Sequence, residues 1–139
     1  MKLRDIMHRG VASVGPDTSV VQIARKMRDM DIGALPVVDR GDVVGIVTDR
    51  DITTRAVAAG LDVGGLVARD VMSCDVLTCR ATDDAHRGLK MMANAQVRRL
   101  PILDDSHELV GMVSLGDIAQ AHRPDLTEEL MKAVAAHRP

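Results

Sequence analysis

An internal duplication constrains this chain more than any other feature of its sequence. Arg4-Asp5-Ile6-Met7 returns as Arg69-Asp70-Val71-Met72, 65 positions later (69 − 4). Beyond one inserted residue the spacing becomes 66 (117 − 51), so that Asp51 matches Asp117. Surface turns tolerate such an insertion best. The chain is therefore two copies of one motif, and a half of about 60 residues is marginally stable alone.

Within each copy, the apolar patterns predict the order strand, helix, strand, strand, helix. In the first copy two β-branched runs, residues 36–38 and 43–47, flank a turn of Asp, Arg and Gly, which is typical of a β-hairpin. An amphipathic helix from about Val20 precedes this hairpin, and a short strand at 11–14 precedes the helix. The second copy repeats the order with a hairpin at 99–113. These elements define an α+β fold.

The same patterns divide the chain into four segments: a first repeat at 1–60, a short linker at 61–68, a second repeat at 69–123 and a C-terminal helix at 124–139. In the last segment Leu126, Leu130 and Val134 form an apolar stripe that needs a packing partner. Acidic residues begin this segment, and basic residues that include His137 and Arg138 end it, which suits the helix dipole.

Composition excludes several classes of function. The formal net charge is −2 with both signs intermixed, so the chain lacks the electrostatic footprint of a nucleic-acid-binding protein. Aromatic residues are absent, which removes the stacking platforms that single-strand binding uses. No stretch approaches the ~20 apolar residues of a membrane helix, and no secretory signal is visible, so we expect a cytoplasmic protein. No catalytic motif is present, so we expect no enzymatic activity.

The two cysteines, Cys74 and Cys79, are too few for a disulfide scaffold. With His8 and His86 they invite a zinc hypothesis, but these residues lack a recognised four-ligand spacing. We therefore predict two reduced, partly buried thiols and no metal. The nine methionines fill a core that has no aromatic residues.

A short polar element follows each hairpin. The first capping element is Thr48-Asp49-Arg50-Asp51, and the second capping element is Ser114-Leu115-Gly116-Asp117. Their spacing is that of a capping box at a helix start. A carboxylate there also suits a vicinal diol, and free N–H groups suit a phosphate. The spacing leaves both roles open, and one residue can fill both.

The duplicated order of these motifs, with LPVVD and VVGIVTDRDI in the first copy, resembles the CBS-domain pair, or Bateman module. The resemblance covers residues 4–121 and is especially close to small stand-alone bacterial CBS-pair proteins. It implies tandem CBS domains, each with a three-stranded sheet and two helices, whose sheets pack together about a pseudo-two-fold axis. It also implies a homodimer that acts as a regulatory sensor in a stress response.

The resemblance further implies an adenine-containing ligand, such as AMP, ATP or S-adenosylmethionine, in clefts between the repeats. In such a module Asp51 and Asp117 accept hydrogen bonds from ribose hydroxyls, while Thr48 and Ser114 contact ribose or phosphate. Arg50 pairs with phosphate in the first copy. The alternative is a ligand-free structural or protein-interaction dimer that acts through its surface.

Four further residues are candidates by the same resemblance. Arg98 and Arg99 neutralise a phosphate, or they are solvated or pair with Asp104 or Asp105. Two residues at matching positions in the first strands contact the base, largely through backbone: Ser13 and Thr78.

Overall fold

The computed structural model describes residues 1–136, and the chain forms two compact units. The first unit is Ala12–Val76, and the second unit combines Met1–Val11 with the chain from Leu77 onward. The segment that leads into the first repeat thus packs with the second repeat. The segment that leads into the second repeat, up to Val76, packs with the first. Each of the two units therefore contains the short segment that begins the other sequence repeat.

The first unit contains an antiparallel hairpin and short helices. Ser19 starts its main helix, because the Ser19 side chain accepts a hydrogen bond from the Gln22 amide at 3.1 Å. Of the apolar period predicted for this helix, Val20, Ile23 and Met27 are buried, whereas Ala24 is exposed. The elements are α1 (Val20–Met30), β1 (Ala34–Asp39), β2 (Asp42–Thr48), α2 (Asp49–Asp51), a π-helix (Ile52–Val57), a 3₁₀ turn (Val63–Gly65) and α3 (Ala68–Val71).

The π-helix replaces the regular α-helix that the sequence predicts after the first hairpin. Thr53 and Thr54 donate hydroxyl hydrogen bonds to the carbonyls of Asp49 and Arg50, at 3.1 and 2.8 Å. Such back-bonding competes with the backbone amides for the same acceptors. The wider i→i+5 pattern results, with the Ala58 amide donating to the Thr53 carbonyl at 2.8 Å.

The strand predicted at 11–14 is reduced to a single bridge. Val14 pairs in parallel with Val37, donating to the Pro36 carbonyl at 3.0 Å and accepting from the Val38 amide at 2.8 Å. Pro16 has no amide hydrogen to extend the ladder. The sheet of the first unit therefore consists of β1 and β2 alone.

The second unit has the three-stranded sheet that the resemblance implies, in the order β3-β4-β5. Strand β3 is parallel to β4, and β4 is antiparallel to β5. The elements are β3 (Cys79–Arg80), α4 (Ala85–Ala95), β4 (Arg99–Leu103), β5 (Leu109–Ser114), α5 (Leu115–Gln120) and α6 (Thr127–Ala136). A tandem α+β fold with a C-terminal helix is confirmed.

Helix α6 finds its packing partners, α4 and α5, within the second unit. Leu126 and Ala133 are 3% and 1% exposed, and Leu130 packs against the same core. The prediction that Val134 belongs to this stripe is wrong, because Val134 is 41% exposed and Ala133 takes the inward position. His137 and Arg138, predicted to complement the helix dipole, lie outside the described residues. No helix among residues 1–136 is long and apolar enough to cross a membrane.

Candidate ligand-binding elements

The first capping element joins the end of β2 to the start of α2. The Asp51 amide donates to Thr48 Oγ1 at 3.0 Å, and the Thr48 amide donates to Asp51 Oδ2 at 2.9 Å. These reciprocal bonds satisfy two of the amides that a helix start leaves unpaired. The other carboxylate oxygen, Asp51 Oδ1, lies 3.8 Å from Arg55 Nε, which is beyond hydrogen-bond length. The capping role of Thr48 and Asp51 is confirmed.

The second capping element has the same geometry between β5 and α5. The Asp117 amide donates to Ser114 Oγ at 3.1 Å, and the Ser114 amide donates to Asp117 Oδ2 at 2.8 Å. Here, however, the second oxygen is also bonded: His8 Nε2 lies 2.7 Å from Asp117 Oδ1. Since an ionised carboxylate only accepts, His8 Nε2 is the donor of this bond.

Backbone hydrogen bonds to β5 position His8 beside Asp117. The His8 amide donates to the Met112 carbonyl at 2.9 Å, and the Met112 amide donates to the His8 carbonyl at 3.0 Å. Neighbouring Gly111 permits this approach, since a Cβ there would lie 2.8 Å from the His8 carbonyl and 2.6 Å from Met7 Sδ. Glycine is required where two backbones come this close.

The matching bridge in the first unit joins Ser73 to Ile46. The Ser73 amide donates to the Ile46 carbonyl at 2.9 Å, and the Ile46 amide donates back at 3.0 Å. Gly45 occupies the position that Gly111 has in the second unit. A Cβ added at Gly45 would lie 2.6 Å from Met72 Sδ. Ser73 thus occupies the position of His8 in the other copy. Sequence reasoning missed the contact of His8 with Asp117; the repeat spacing aligns His8 with Ser73 and carries no signal for an ion pair.

The middle residues of the two elements differ in charge and burial. Asp49 is exposed and its Oδ1 accepts a bond from the Arg50 amide at 2.8 Å, whereas Leu115 is 6% exposed and belongs to the core. The Arg50 guanidinium is exposed and makes no ion pair with the described residues, while Gly116 offers no charge. Arg50 therefore gives the first element a positive charge with no ion-pair partner among the described residues, and the second element has no such charge.

The structure brings Arg98 and Arg99 beside the second capping element. The Leu115 amide donates to the Arg98 carbonyl at 3.0 Å, and Arg99 is the strand partner of Ser114. Both side chains are exposed, and neither makes an ion pair with residues 1–136. Pairing with Asp104 is not observed; its Oδ1 instead accepts the amides of two residues of the hairpin turn, Ser106 and Glu108.

Ser13 and Thr78 lie apart from these hydrogen bonds. Ser13 is exposed beside Val14, and Thr78 precedes β3. Thr78 lines an open pocket of about 410 Å³ at the hairpin end of the second unit, and no residue of the second capping element lines it. The other lining residues are Cys79, Arg80, Asp83, Arg87, Leu103 and His107.

The cysteines occupy different environments. Cys74 is exposed, so the prediction that both thiols are partly buried is wrong for Cys74. Cys79 is buried, with its Sγ 3.3 Å from Met91 Sδ. Burial, assisted by the negative charge of Asp83, raises the pKa of the Cys79 thiol to about 11. His86 Nδ1 lies 3.6 Å from a Glu129 carboxylate oxygen. Among residues 1–136, no three side chains of His, Cys, Asp or Glu form a group that could hold a metal ion.

The duplicated fold and the paired capping elements define a class of protein. The family model for the CBS domain matches residues 3–57 and again residues 68–123. The chain therefore belongs to the CBS-domain family, with two domains in tandem, and the resemblance seen in its motifs is confirmed.

Two curated relatives match most of this chain but differ in how much of their own length is matched. The chain is similar to hypoxic response protein 1 of Mycobacterium tuberculosis, with 39% identity over 123 residues, 88% of this chain and 85% of that protein. It is also similar to the uncharacterized protein MK0525 of Methanopyrus kandleri, with 36% identity over 117 residues. That match covers 84% of this chain, which spans only 60% of the Methanopyrus protein.

Two solved structures share the fold. Hypoxic Response Protein I with two coordinated zinc ions is 38% identical, with a TM-score of 0.79, over 89% of this chain and 100% of that chain. The CBS domain pair of protein MJ0100, in complex with 5′-methylthioadenosine and S-adenosyl-L-methionine, has a TM-score of 0.79 over 87% of this chain and 94% of that chain. At 24% identity, the MJ0100 likeness concerns the fold alone.

Proposed function

We propose that this chain is a non-enzymatic regulatory module that binds an adenine-containing ligand, such as AMP, ATP or S-adenosylmethionine, through its capping elements. The observation that carries the proposal is the state of the Asp51 carboxylate. One oxygen is fixed by the Thr48 amide at 2.9 Å, while the other makes no hydrogen bond within the described residues. The group is thus oriented by one hydrogen bond, and its other oxygen, 3.8 Å from Arg55 Nε, is able to accept hydrogen bonds from a ligand.

A ribose presents two neighbouring hydroxyl donors, and a carboxylate is an acceptor that can take both. Hydrogen bonds to a charged acceptor are about twice as strong as bonds between neutral groups. The Asp51 side chain is 14% exposed, so the bonds it makes are partly shielded from water. Arg50, one residue earlier and exposed, is the candidate partner for a phosphate.

The CBS pair of MJ0100, whose fold this chain shares, is described in complex with two adenosyl compounds, neither of which is a phosphate ester. This supports adenosine as the common part of the candidate ligands. Whether a phosphate is also bound depends in our proposal on Arg50 in the first element and on Arg98 and Arg99 in the second.

Two experiments test the proposal. Mass spectrometry of small molecules released from purified protein should detect an adenine-containing compound, and calorimetry should show binding of AMP, ATP or S-adenosylmethionine. Asp51→Asn should weaken that binding clearly while leaving the fold intact. A parent protein that releases no such compound and binds none of the three would contradict the proposal.

A ligand-free dimer is the second candidate, and two observations favour it. Both capping boxes satisfy their own amides without a ligand. Val57 and Met131 are 61% and 62% exposed, which offers apolar surface to a partner chain. This candidate predicts a homodimer, or a complex with a protein partner, whose melting temperature is unchanged by adenine nucleotides.

A further inference from the structure

The two capping elements differ in what holds the second oxygen of their aspartate. Asp117 Oδ1 receives the short bond from His8 Nε2 at 2.7 Å. Asp51 Oδ1 makes no hydrogen bond among residues 1–136 and forms an ion pair with Arg55 Nε at 3.8 Å. The two carboxylates are otherwise alike, with side chains 11% and 14% exposed and one oxygen bonded to the amide three residues earlier. The copies therefore differ in the contact of the second oxygen: a hydrogen bond from His8 at Asp117, and a longer ion pair with Arg55 at Asp51.

The backbone of His8 is fixed beside Asp117. Its backbone makes two hydrogen bonds to Met112 on β5, two residues before Ser114, and Gly111 keeps the two backbones close. The His8 side chain is 76% exposed, whereas the Asp117 side chain is 11% exposed. A ligand that binds Asp117 Oδ1 must therefore share this oxygen with the imidazole.

We propose that His8 is a specificity-determining residue, which closes Asp117 to the ribose diol and leaves Asp51 as the acceptor that binds an adenosyl ligand. This inference rests on the proposed function, because it concerns which of the two elements takes the ligand. Each carboxylate oxygen has two lone-pair sites, and the His8 bond takes one of those on Asp117 Oδ1. Both hydroxyls of a ribose diol can therefore bond to this oxygen only by displacing the histidine donor. A net hydrogen bond to a charged group contributes about 1.5–3 kcal/mol, which corresponds to a loss of tenfold or more in affinity at Asp117.

The chain provides its own matched control at Ser73. Ser73 makes the same two-bond backbone bridge to β2 that His8 makes to β5. Its side chain makes no hydrogen bond to Asp51 among the described residues. His8→Ser therefore converts the second site to the pattern of the first, and Ser73→His converts the first site to the pattern of the second. His8 is exposed and Ser73 is half-buried, and both residues form their bridge through backbone atoms, which the two substitutions keep.

The experiment is calorimetric titration of the full chain with AMP. The parent should bind about one AMP per chain, and Asp51→Asn should clearly weaken that binding. His8→Ser should add a second site, for a total of two per chain, and Asp117→Asn in the His8→Ser background should remove the added site. Ser73→His should weaken the site at Asp51 by about tenfold.

The outcomes separate the two proposals. Two equal sites in the parent, unchanged by His8→Ser and Ser73→His, would overturn the role of His8 and leave the proposed function standing. No binding by the parent or by any variant, with adenosine and S-adenosylmethionine as well as AMP, would overturn both. If His8→Ser does not fold by circular dichroism, Ser73→His alone decides: an unchanged AMP affinity overturns the inference and a tenfold loss supports it.

Discussion

The carbonyl of Gly33 accepts a hydrogen bond from the Asp49 amide at 3.0 Å, and the carbonyl of Arg98 accepts the matching bond from Leu115 at 3.0 Å. The two units thus tie the segment before the hairpin to the start of the following helix in the same way. The residues that supply this identical bond differ in chemistry. In the first unit the bonded residues are a glycine and the acidic Asp49. In the second unit they are Arg98 and Leu115, a leucine of the core.

The first prediction separates ligand binding from capping at Asp51. Asp51→Ala should lower the free energy of unfolding by about 0.5–2 kcal/mol, the usual cost of a lost cap side chain. Asp51→Asn retains an oxygen that can cap, so its stability should be near that of the parent, but it loses the charged acceptor and most of the thermal shift caused by AMP. Differential scanning fluorimetry with and without AMP measures both quantities.

Asp117→Asn is the matched control for this test and should have a milder effect on AMP binding. An Asp51→Asn protein that binds AMP as well as the parent would rule out the ribose role of Asp51.

The second prediction concerns unequal phosphate recognition. Arg50 is an exposed cation with no ion pair among the described residues, and Gly116 replaces it in the second copy. Arg50→Gly should therefore weaken AMP binding and leave adenosine binding nearly unchanged, since only AMP has a phosphate to lose the charge-assisted bond. Parallel calorimetric titrations with the two ligands measure the difference. Equal losses for AMP and adenosine would show that Arg50 acts on the fold or on the ribose instead.

The third prediction is a homodimer. Size exclusion with light scattering should report twice 15.0 kDa at micromolar concentration. Because α6 packs on its own unit, the apolar surface left for a partner includes Val57, at the end of the π-helix and 61% exposed. Val57→Asp should shift the protein toward monomer, while Met30→Asp, at a side chain that is 47% exposed on α1, serves as a comparison. A monomeric parent would contradict this prediction.

The fourth prediction is a large difference in thiol reactivity. Because the pKa of the Cys79 thiol is raised to about 11, its nucleophilic thiolate is scarce at pH 8, and the group is also buried. Iodoacetamide at pH 8 should modify the exposed Cys74 alone, and Cys74→Ser should prevent modification of the folded protein. The raised pKa also implies that stability falls as pH rises from about 9, where an unfolded thiol ionises, to about 11. Rapid modification of Cys79 in the Cys74→Ser protein would contradict the buried environment.

The fifth prediction tests the close approach at the glycine of β5. Gly111→Ala places a methyl group 2.6 Å from Met7 Sδ and 2.8 Å from the His8 carbonyl. The backbone carbonyl cannot move aside without breaking its bridge, so we expect a loss of about 1–3 kcal/mol in unfolding free energy. Gly65→Ala is the control, because nothing lies within 4 Å of the Cβ it would add. Urea denaturation of the two variants measures the contrast, and equal stabilities would show that the lead-in segment adapts freely.

Local chemistry made much of this fold predictable. Helix α1 and both capping boxes depend on bonds between residues three or four positions apart, and each hairpin pairs two strands that one short turn connects. Their sequence patterns encode those bonds directly. The π-helix departs from the predicted α-helix because the hydroxyls of Thr53 and Thr54 compete with backbone amides for carbonyl acceptors. The spacing of apolar residues contains no information about that competition. The bond from His8 to Asp117 joins residues 109 positions apart, and no local pattern encodes such a contact.

The exchange of lead-in segments has a consequence for the order in which the chain can fold. The first unit, Ala12–Val76, is continuous in sequence, so it can close as soon as that length has left the ribosome. The second unit cannot, because Leu3, which is fully buried in its core, must wait for residues such as Leu89 and Ile118 to be synthesised. Residues 1–11 are thus translated before the first unit but are buried only after the first unit has been made. Until then Leu3 is an exposed apolar side chain.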